Sequence, residues 1–197
     1  MSMSTKAVTI AVLFSTLAEC AFSEGGATLF AEHFHLSLPA AYPTRTIPTE
    51  WMEVGTPVTI GSLTGLVSRI ETDNKFLPSL IQSSALKLFP SVGCVNATIC
   101  QFPSQEAAYQ SAINGISETS MNSGELLAHY SYETNFPDIC LCWHDQKDDL
   151  DGATISLAVI VRGNIAGFFT GISGTNLLNV AGAVMNSTSC SQPLFGQ

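Results

Sequence analysis

Positive charge is scarce in this chain, and its scarcity excludes whole classes of function. Only 7 of the 197 residues are Lys or Arg, against 16 Asp or Glu, so the formal net charge is −9. The few basic residues form no cluster anywhere in the sequence. Proteins that bind nucleic acid neutralise phosphates with clustered cations, and attachment to an anionic membrane surface has the same requirement. We therefore expect neither nucleic-acid binding nor electrostatic attachment to a membrane.

Charged residues of both signs are also few. They make up 12% of the sequence, about half the usual share, whereas 46% of the residues are hydrophobic. This composition excludes a disordered chain and provides enough apolar surface for a buried core. The length suits one domain. The apolar run near the N-terminus is much shorter than the roughly 20 residues of a membrane-spanning helix, so we expect no stable membrane span.

Familiar catalytic and cofactor-binding motifs are missing from the sequence. It has no Gly-x-Ser-x-Gly nucleophile motif and no glycine-rich loop that would hold a phosphate. The acidic segment 148–152 lacks the Asp-x-Asp-x-Asp-Gly frame and the distal Glu of a calcium loop, so we expect a solvated turn there. We therefore predict no catalytic residue, no cofactor-binding residue and no cofactor.

The N-terminus has the features of a secretory signal peptide. Lys6 precedes an apolar run over residues 7–13, and Ala21-Phe22-Ser23 has the small-x-small shape of a signal-peptidase site. We predict that residues 1–23 are a signal peptide and that residues 24–197 form a single α+β domain. The protein would then be secreted, or periplasmic or luminal. A buried first strand and a lipoprotein signal that ends at Cys20 are the alternatives.

Export makes disulfides an expected feature of the mature chain. If residues 92–102 form a straight strand, Cys94 and Cys100 lie about 20 Å apart and cannot pair with each other. A turn at Asn96-Ala97 would instead allow them to pair. The disulfide candidates are Cys94, Cys100, Cys140, Cys142 and Cys190.

The segment 138–144 raises the question of a metal or redox site. Cys140, Cys142 and His144 alternate with apolar residues, so a strand would place two thiols and an imidazole on one face. A composite metal site could add a histidine of the His33-Phe34-His35 segment. However, the Cys-x-Cys spacing differs from the Cys-x₂₋₄-Cys spacing of structural zinc sites, and no second close pair exists. We therefore predict no metal site.

We interpret this segment as a structural strand instead. Ile139, Leu141 and Trp143 would face the core, because burial of each is worth roughly 1.5–3 kcal/mol. Cys140 and Cys142 would face the other side, where either a helix covers them or disulfides tie them to neighbouring elements.

Two Asn-x-Ser/Thr triplets make Asn96 and Asn186 candidates for N-glycosylation. They agree with export, although such triplets are frequent in a chain rich in Ser and Thr.

The order of predicted elements indicates an α+β fold. We expect strands at 29–39, 50–54, 57–60, 65–72, 92–102 and 125–134, another strand over 138–144, and two strands within 153–173 joined at Gly163-Asn164. Helices are expected at 77–89, at 104–119 with Ser104 as its cap, and at 175–187. Consecutive hairpin-linked strands predict a single antiparallel sheet flanked by helices.

The segment 29–54 resembles the opening of the PsbP-like and Ran-binding Mog-type α-β-α sandwich superfamily. In that family an opening strand ends in Leu/Ile-Pro, and the Mog branch continues with Arg-x-Val-Pro-x-x-x-Glu-Val. Here Leu38-Pro39 matches the first part. Arg45-Thr46-Ile47-Pro48 and Glu53-Val54 approximate the second, with one extra residue before Glu53. Thr49 stands where the Mog branch has an acidic residue, so GTPase binding does not follow.

The resemblance implies an antiparallel sheet between helices and a non-catalytic role. Together with the predicted signal peptide, it indicates an exported, non-enzymatic binding or accessory domain whose protein partner or small ligand is unknown. The first alternative is a thiol- or metal-dependent enzyme that uses Cys140, Cys142 and His144. A second alternative, favoured by low charge and high apolar content, is a self-assembling structural subunit.

Overall fold

The structure is a computed structural model that describes residues 42–69, 79–91, 93–121, 130–132, 139–145, 154–172 and 175–190. The strands in these ranges are β1 (Arg45–Thr46), β2 (Pro57–Ile60), β3 (Leu63–Ser68), β4 (Gln82–Phe89), β5 (Val95–Gln101), β6 (Tyr130–Tyr132), β7 (Ile139–Asp145), β8 (Thr154–Arg162), β9 (Ile165–Thr170) and β10 (Ser189–Cys190). The helices are α1 (Gln105–Met121) and α2 (Thr175–Ser187), and a 3₁₀ turn covers Thr49–Trp51.

Eight of the strands form one large sheet in the order β2-β3-β4-β5-β9-β8-β7-β6, and all neighbours are antiparallel. The first four strands form one meander and the last four form another, and the two join where β5 pairs with β9. The predicted α+β fold with a large antiparallel sheet and helices is confirmed. The expectation of a single sheet is wrong, because β1 and β10 form a separate two-stranded sheet.

The two helices pack on opposite faces of the large sheet, as the alternation of side chains along β8 shows. Ala158 and Ile160 lie in one apolar cluster with residues of α2, whereas Val159 and Val161 lie in another with residues of α1. Adjacent residues of a strand point to opposite faces, so each cluster occupies one side of the sheet. We call these sides the α2 face and the α1 face.

Both helices occur where the sequence predicted them. The backbone N–H of Ala107 donates a hydrogen bond to Ser104 Oγ at 3.1 Å, which confirms Ser104 as the cap of α1. Ala112 and Ile113 of α1 are buried against the sheet. Within the described residues, neither helix is long and apolar enough to cross a membrane.

The hairpin between β8 and β9 also follows the sequence prediction. Arg162 pairs with Ile165, which leaves Gly163 and Asn164 as a two-residue turn. Gly163 has φ of +55°, and a positive φ at the first turn residue alone is the type II′ geometry, for which glycine is preferred.

Two predicted elements are wrong. The expected helix at 77–89 is strand β4, which pairs with β3 on one side and β5 on the other. Leu86 and Leu88 are buried on the α2 face, whereas Lys87 between them is exposed. Pairing with two strands makes this segment extended, and side chains of an extended segment alternate between the two faces of the sheet. The apolar spacing that favoured a helix therefore did not determine its conformation. The expected strand at 50–54 begins instead in the 3₁₀ turn, which buries Trp51.

Several predictions lie outside the described residues. These are the signal peptide at 1–23, the strand at 29–39 with His33 and His35, Cys20, and the acidic turn at 148–152.

Candidate functional site

Cys140 and Cys142 lie side by side on β7, as the sequence predicted. Both are fully buried on the α2 face, and their Sγ atoms are 3.9 Å apart. Ile139 and Leu141 point to the α1 face, where they are buried beside residues of α1. The predicted structural strand is therefore confirmed for these four residues, and both faces of the strand are core.

The rest of the proposed metal site does not assemble among the described residues. The pairing of β7 with β8 shifts register between Trp143 and His144, so the regular alternation is interrupted before His144. The side chains of Trp143 and His144 lie outside the described part of the structure. Within that part, no three His, Cys, Asp or Glu side chains come close enough to hold a metal ion.

The two thiols have an apolar setting that suits a structural role. Ile160 is opposite Cys140 on β8, and Ala158 is opposite Cys142. The 3.9 Å separation is a thiol–thiol contact, well beyond the roughly 2.05 Å of an S–S bond. Buried free cysteine behaves as a small hydrophobic residue with a weak S–H donor.

The predicted disulfides are not present in the structure. None of the five candidates, Cys94, Cys100, Cys140, Cys142 and Cys190, forms a disulfide in the described part of the structure. The straight course of β5 keeps Cys94 and Cys100 apart, as the first of our two alternatives required. Cys100 is buried in the cluster beneath α1, and this burial raises the pKa of its thiol to about 12. A thiol with so high a pKa is not a nucleophile at neutral pH.

A buried polar cluster that the sequence did not predict lies where β1 meets the end of α2. Arg45 Nη1 donates hydrogen bonds to the Thr188 carbonyl at 2.9 Å, to Thr188 Oγ1 at 2.8 Å and to the Met185 carbonyl at 3.3 Å. Thr188 Oγ1 donates in turn to the Met185 carbonyl. The guanidinium thus satisfies carbonyl groups at the C-terminus of α2, where the helix dipole favours a cation.

The side chain of Asn164 bonds to the backbone of Arg45. Its Oδ1 accepts a hydrogen bond from the Arg45 N–H at 2.7 Å. Its Nδ2 donates to the Arg45 carbonyl at 3.1 Å and to the Phe102 carbonyl at 3.0 Å. The side-chain amide therefore bonds to β1 much as a neighbouring strand would.

Gln101 continues this arrangement along β1. Its Oε1 accepts hydrogen bonds from the Ile47 N–H at 3.0 Å and from Gln82 Nε2 at 2.8 Å. We refer to Arg45, Gln101, Asn164 and Thr188 together as the Arg45 cluster. Each member forms at least one hydrogen bond to a backbone group of another element, which is the behaviour of a structural clamp rather than of a reaction site.

One atom of the Arg45 cluster stands apart. Arg45 Nε is the only buried side-chain nitrogen or oxygen without a hydrogen-bond partner in the described part of the chain. The residue belongs to the Arg45-Thr46-Ile47-Pro48 motif on which the family resemblance depends. The structure gives this motif a structural role, because Arg45 bonds to Thr188 at the end of α2 and Ile47 bonds to Gln101 of β5.

The two predicted glycosylation positions lie in different surroundings. Asn96 is exposed on β5. Asn186 is exposed at the end of α2, and its Oδ1 accepts a hydrogen bond from the buried Arg162.

Comparisons of the chain with protein families, with curated proteins and with solved structures found no match.

Proposed function

We propose that this protein is an exported, non-enzymatic binding or accessory domain related to the PsbP-like and Mog-type α-β-α sandwich. The observation that carries this proposal is the large antiparallel sheet with one helix packed on each face. The resemblance at residues 29–54 implies that arrangement, and the described part of its motif, Arg45-Thr46-Ile47-Pro48, lies outside the large sheet.

The use of polar side chains in the core supports a non-enzymatic role. Ser84, Gln101 and Asn164 are buried, and each is bonded to backbone groups of other elements. Cys100, Cys140 and Cys142 are buried among apolar residues. The polar and thiol groups that sequence inspection would offer to catalysis therefore serve packing and strand connection.

Export is tested by the N-terminus of protein purified from its native host. We expect N-terminal sequencing and intact mass to place the first residue near Glu24. A control chain in which Ala21 is replaced by a bulky residue, Ala21→Trp, should retain its leader. An intact Met1 or Ser2 on the wild-type protein would contradict export.

The accessory role is tested separately, by cross-linking the host-derived protein in its own compartment and identifying the products by mass spectrometry. We expect one partner to be joined reproducibly to this chain. Recovery of only monomer under conditions that cross-link a known complex of the same compartment would contradict the role.

The 3.9 Å contact between Cys140 and Cys142 favours one alternative, a thiol- or metal-dependent protein that also uses His144. Metal analysis of the purified protein discriminates between the two functions. Stoichiometric zinc or copper in the wild type, lost in Cys142→Ala and His144→Ala, would establish the alternative. The proposed function expects less than a tenth of an equivalent of metal in all three.

A further inference from the structure

Part of the α1 face is not covered by α1. The buried residues Cys100, Ala166 and Phe168 mark where the helix packs on this face. Asn96 lies on the same face of β5, four residues before Cys100, or about 13 Å along the strand at ~3.3 Å per residue. At this distance from the residues beneath α1, Lys87, Phe89 and Asn96 are exposed, although β5 is paired with β4 and with β9.

Asn96 lies in the middle of this uncovered area. Its neighbour on β4 is Lys87, which is exposed, and its neighbour on β9 is Thr170, which is half-buried. Phe89, which is 44% exposed, projects from β4 on the same face and is a diagonal neighbour of Asn96. We call this area, defined by Lys87, Phe89, Asn96 and Thr170, the open face.

The triplet Asn96-Ala97-Thr98 has the orientation that a modified asparagine needs. Asn96 and Thr98 point to the open face, because residues two apart share one side of a strand. Ala97 points to the α2 face and is buried there. Any group attached to Asn96 therefore extends into solvent without disturbing the core.

We propose that Asn96 carries an N-linked glycan, which covers the open face of the sheet. In the reaction, Asn96 Nδ2 forms a bond to the anomeric carbon of an oligosaccharide, the bond from that carbon to a lipid diphosphate breaks, and the amide releases one proton. The donor is a lipid-diphosphate oligosaccharide. The inference rests on the proposed function, because the chain meets this donor only if it is exported through a compartment that contains it.

The chemistry of the open face fits a carbohydrate. Phe89 provides an exposed aromatic ring within reach of the first sugars, whose C–H faces pack on such rings. Lys87 and Thr170 provide polar groups that can bond to sugar hydroxyls. A bulky hydrophilic group at this position would also solubilise a chain with few charges.

The second triplet, at Asn186, provides a contrast within the same chain. The native structure uses Asn186 Oδ1 to bond Arg162, and it buries Thr188, which is 3% exposed and bonded to Arg45 and to the Met185 carbonyl. A glycan at Asn186 would emerge from an amide that is held against a buried guanidinium. We therefore expect Asn186 to be mostly unmodified in folded protein.

The experiment secretes the full chain from eukaryotic cells behind a heterologous signal sequence, so that entry into the glycosylating compartment does not depend on the chain's own N-terminus. Deglycosylation in heavy-oxygen water, followed by peptide mapping, reports occupancy at each asparagine. We expect more than half occupancy at Asn96 and less than a tenth at Asn186. Asn96→Gln should abolish the mass shift on deglycosylation, and Asn186→Gln should leave it unchanged.

Loss of the Asn96 signal in secreted wild-type protein would overturn the inference, as would dominant modification at Asn186. Circular dichroism of Asn96→Gln should match the wild type, because the side chain is exposed, and this check separates a lost modification from a lost fold. Failure of the chain's own leader to direct export would contradict the proposed function, whereas the occupancies measured behind the heterologous signal would still show whether Asn96 accepts a glycan, since that signal bypasses the leader.

Discussion

Replacement of Arg45 tests whether the Arg-Thr-Ile-Pro motif is a structural clamp. Arg45→Ala removes three hydrogen bonds to Thr188 and Met185 and the only described cation that contacts the carbonyl groups of Met185 and Thr188. Hydrogen bonds to a charged group contribute about 1.5–3 kcal/mol, and a cation at a partly buried helix C-terminus contributes up to about 2 kcal/mol. These contributions overlap, so we expect the free energy of unfolding to fall by about 2–3 kcal/mol.

Urea unfolding followed by circular dichroism measures this loss. Arg45→Lys keeps the charge but cannot reproduce the planar fork, so it should recover about half of the stability. Lys87→Ala is the matched control: Lys87 is exposed on β4, and its removal should cost less than about 0.5 kcal/mol. If Arg45→Ala unfolds within about 0.5 kcal/mol of the wild type, the clamp interpretation is wrong, and the motif is free to serve as a binding surface.

Three further perturbations test the core. Burial raises the folded-state pKa of Cys100 from 9.0 to about 12, so its contribution to stability is complete below pH 9 and is lost as pH rises toward 12. Between pH 8 and pH 10.5 the wild type should therefore lose about 2 kcal/mol more than Cys100→Ala in urea titrations, and parallel losses would contradict this pKa. Gly167→Ala would place a methyl group 2.7 Å from Phe169 Cε2 and 2.8 Å from Met185 Sδ, and it should cost about 1–3 kcal/mol. This cost should shrink in a Met185→Ala background, whereas an equal cost in both backgrounds would exclude the contact with Met185 as its cause and leave the contact with Phe169. Cys142→Ser should destabilise more than Cys142→Ala by about 1 kcal/mol in thermal unfolding, because it buries a hydroxyl where a small hydrophobe belongs, and the reverse order would argue for a polar site.

Local signals predicted much of the fold because the interactions behind them are local. Ser104 caps α1 within its own first turn, and Gly163 provides the positive φ of the β8–β9 turn. Alternation placed Ile139 and Leu141 on one face and the two cysteines on the other. Each of these features depends on residues a few positions apart, so it can be inferred without knowledge of the tertiary structure.

The features that could not be predicted depend on contacts between distant residues. Strand β4 has apolar spacing that suits a helix, and only its pairing with both β3 and β5 decides its conformation. The Arg45 cluster joins β1 to β5, to the β8–β9 turn and to the end of α2. No spacing rule links Arg45 to Thr188, and a turn asparagine such as Asn164 is expected to serve its own hairpin.

The candidate site was predicted only in its local part. The Cys-x-Cys alternation correctly placed both thiols together, but it gave no information on whether further ligands would approach. The expected disulfides depended on the compartment rather than on geometry, and none of the five candidates forms a disulfide among the described residues. Cys100 is buried on the face that α1 covers, and Cys140 and Cys142 are buried on the face that α2 covers. Local sequence patterns do not indicate which helix covers which face of the sheet.

The junction between β5 and β9 has a consequence for how the chain folds as it is synthesised. Strand β5 is the exposed edge of the first meander until β9 arrives, and the pairing sets Asn96 against Thr170 and Gln101 against Ile165. Contacts between residues so distant in sequence form slowly, because a long loop must close first. The emerging chain therefore carries an unpaired edge built from Val95, Ala97 and Ile99, which is a template for association with other chains. Until β9 has been synthesised, association at this edge competes with native pairing, and a low local concentration of nascent chains favours the native pairing.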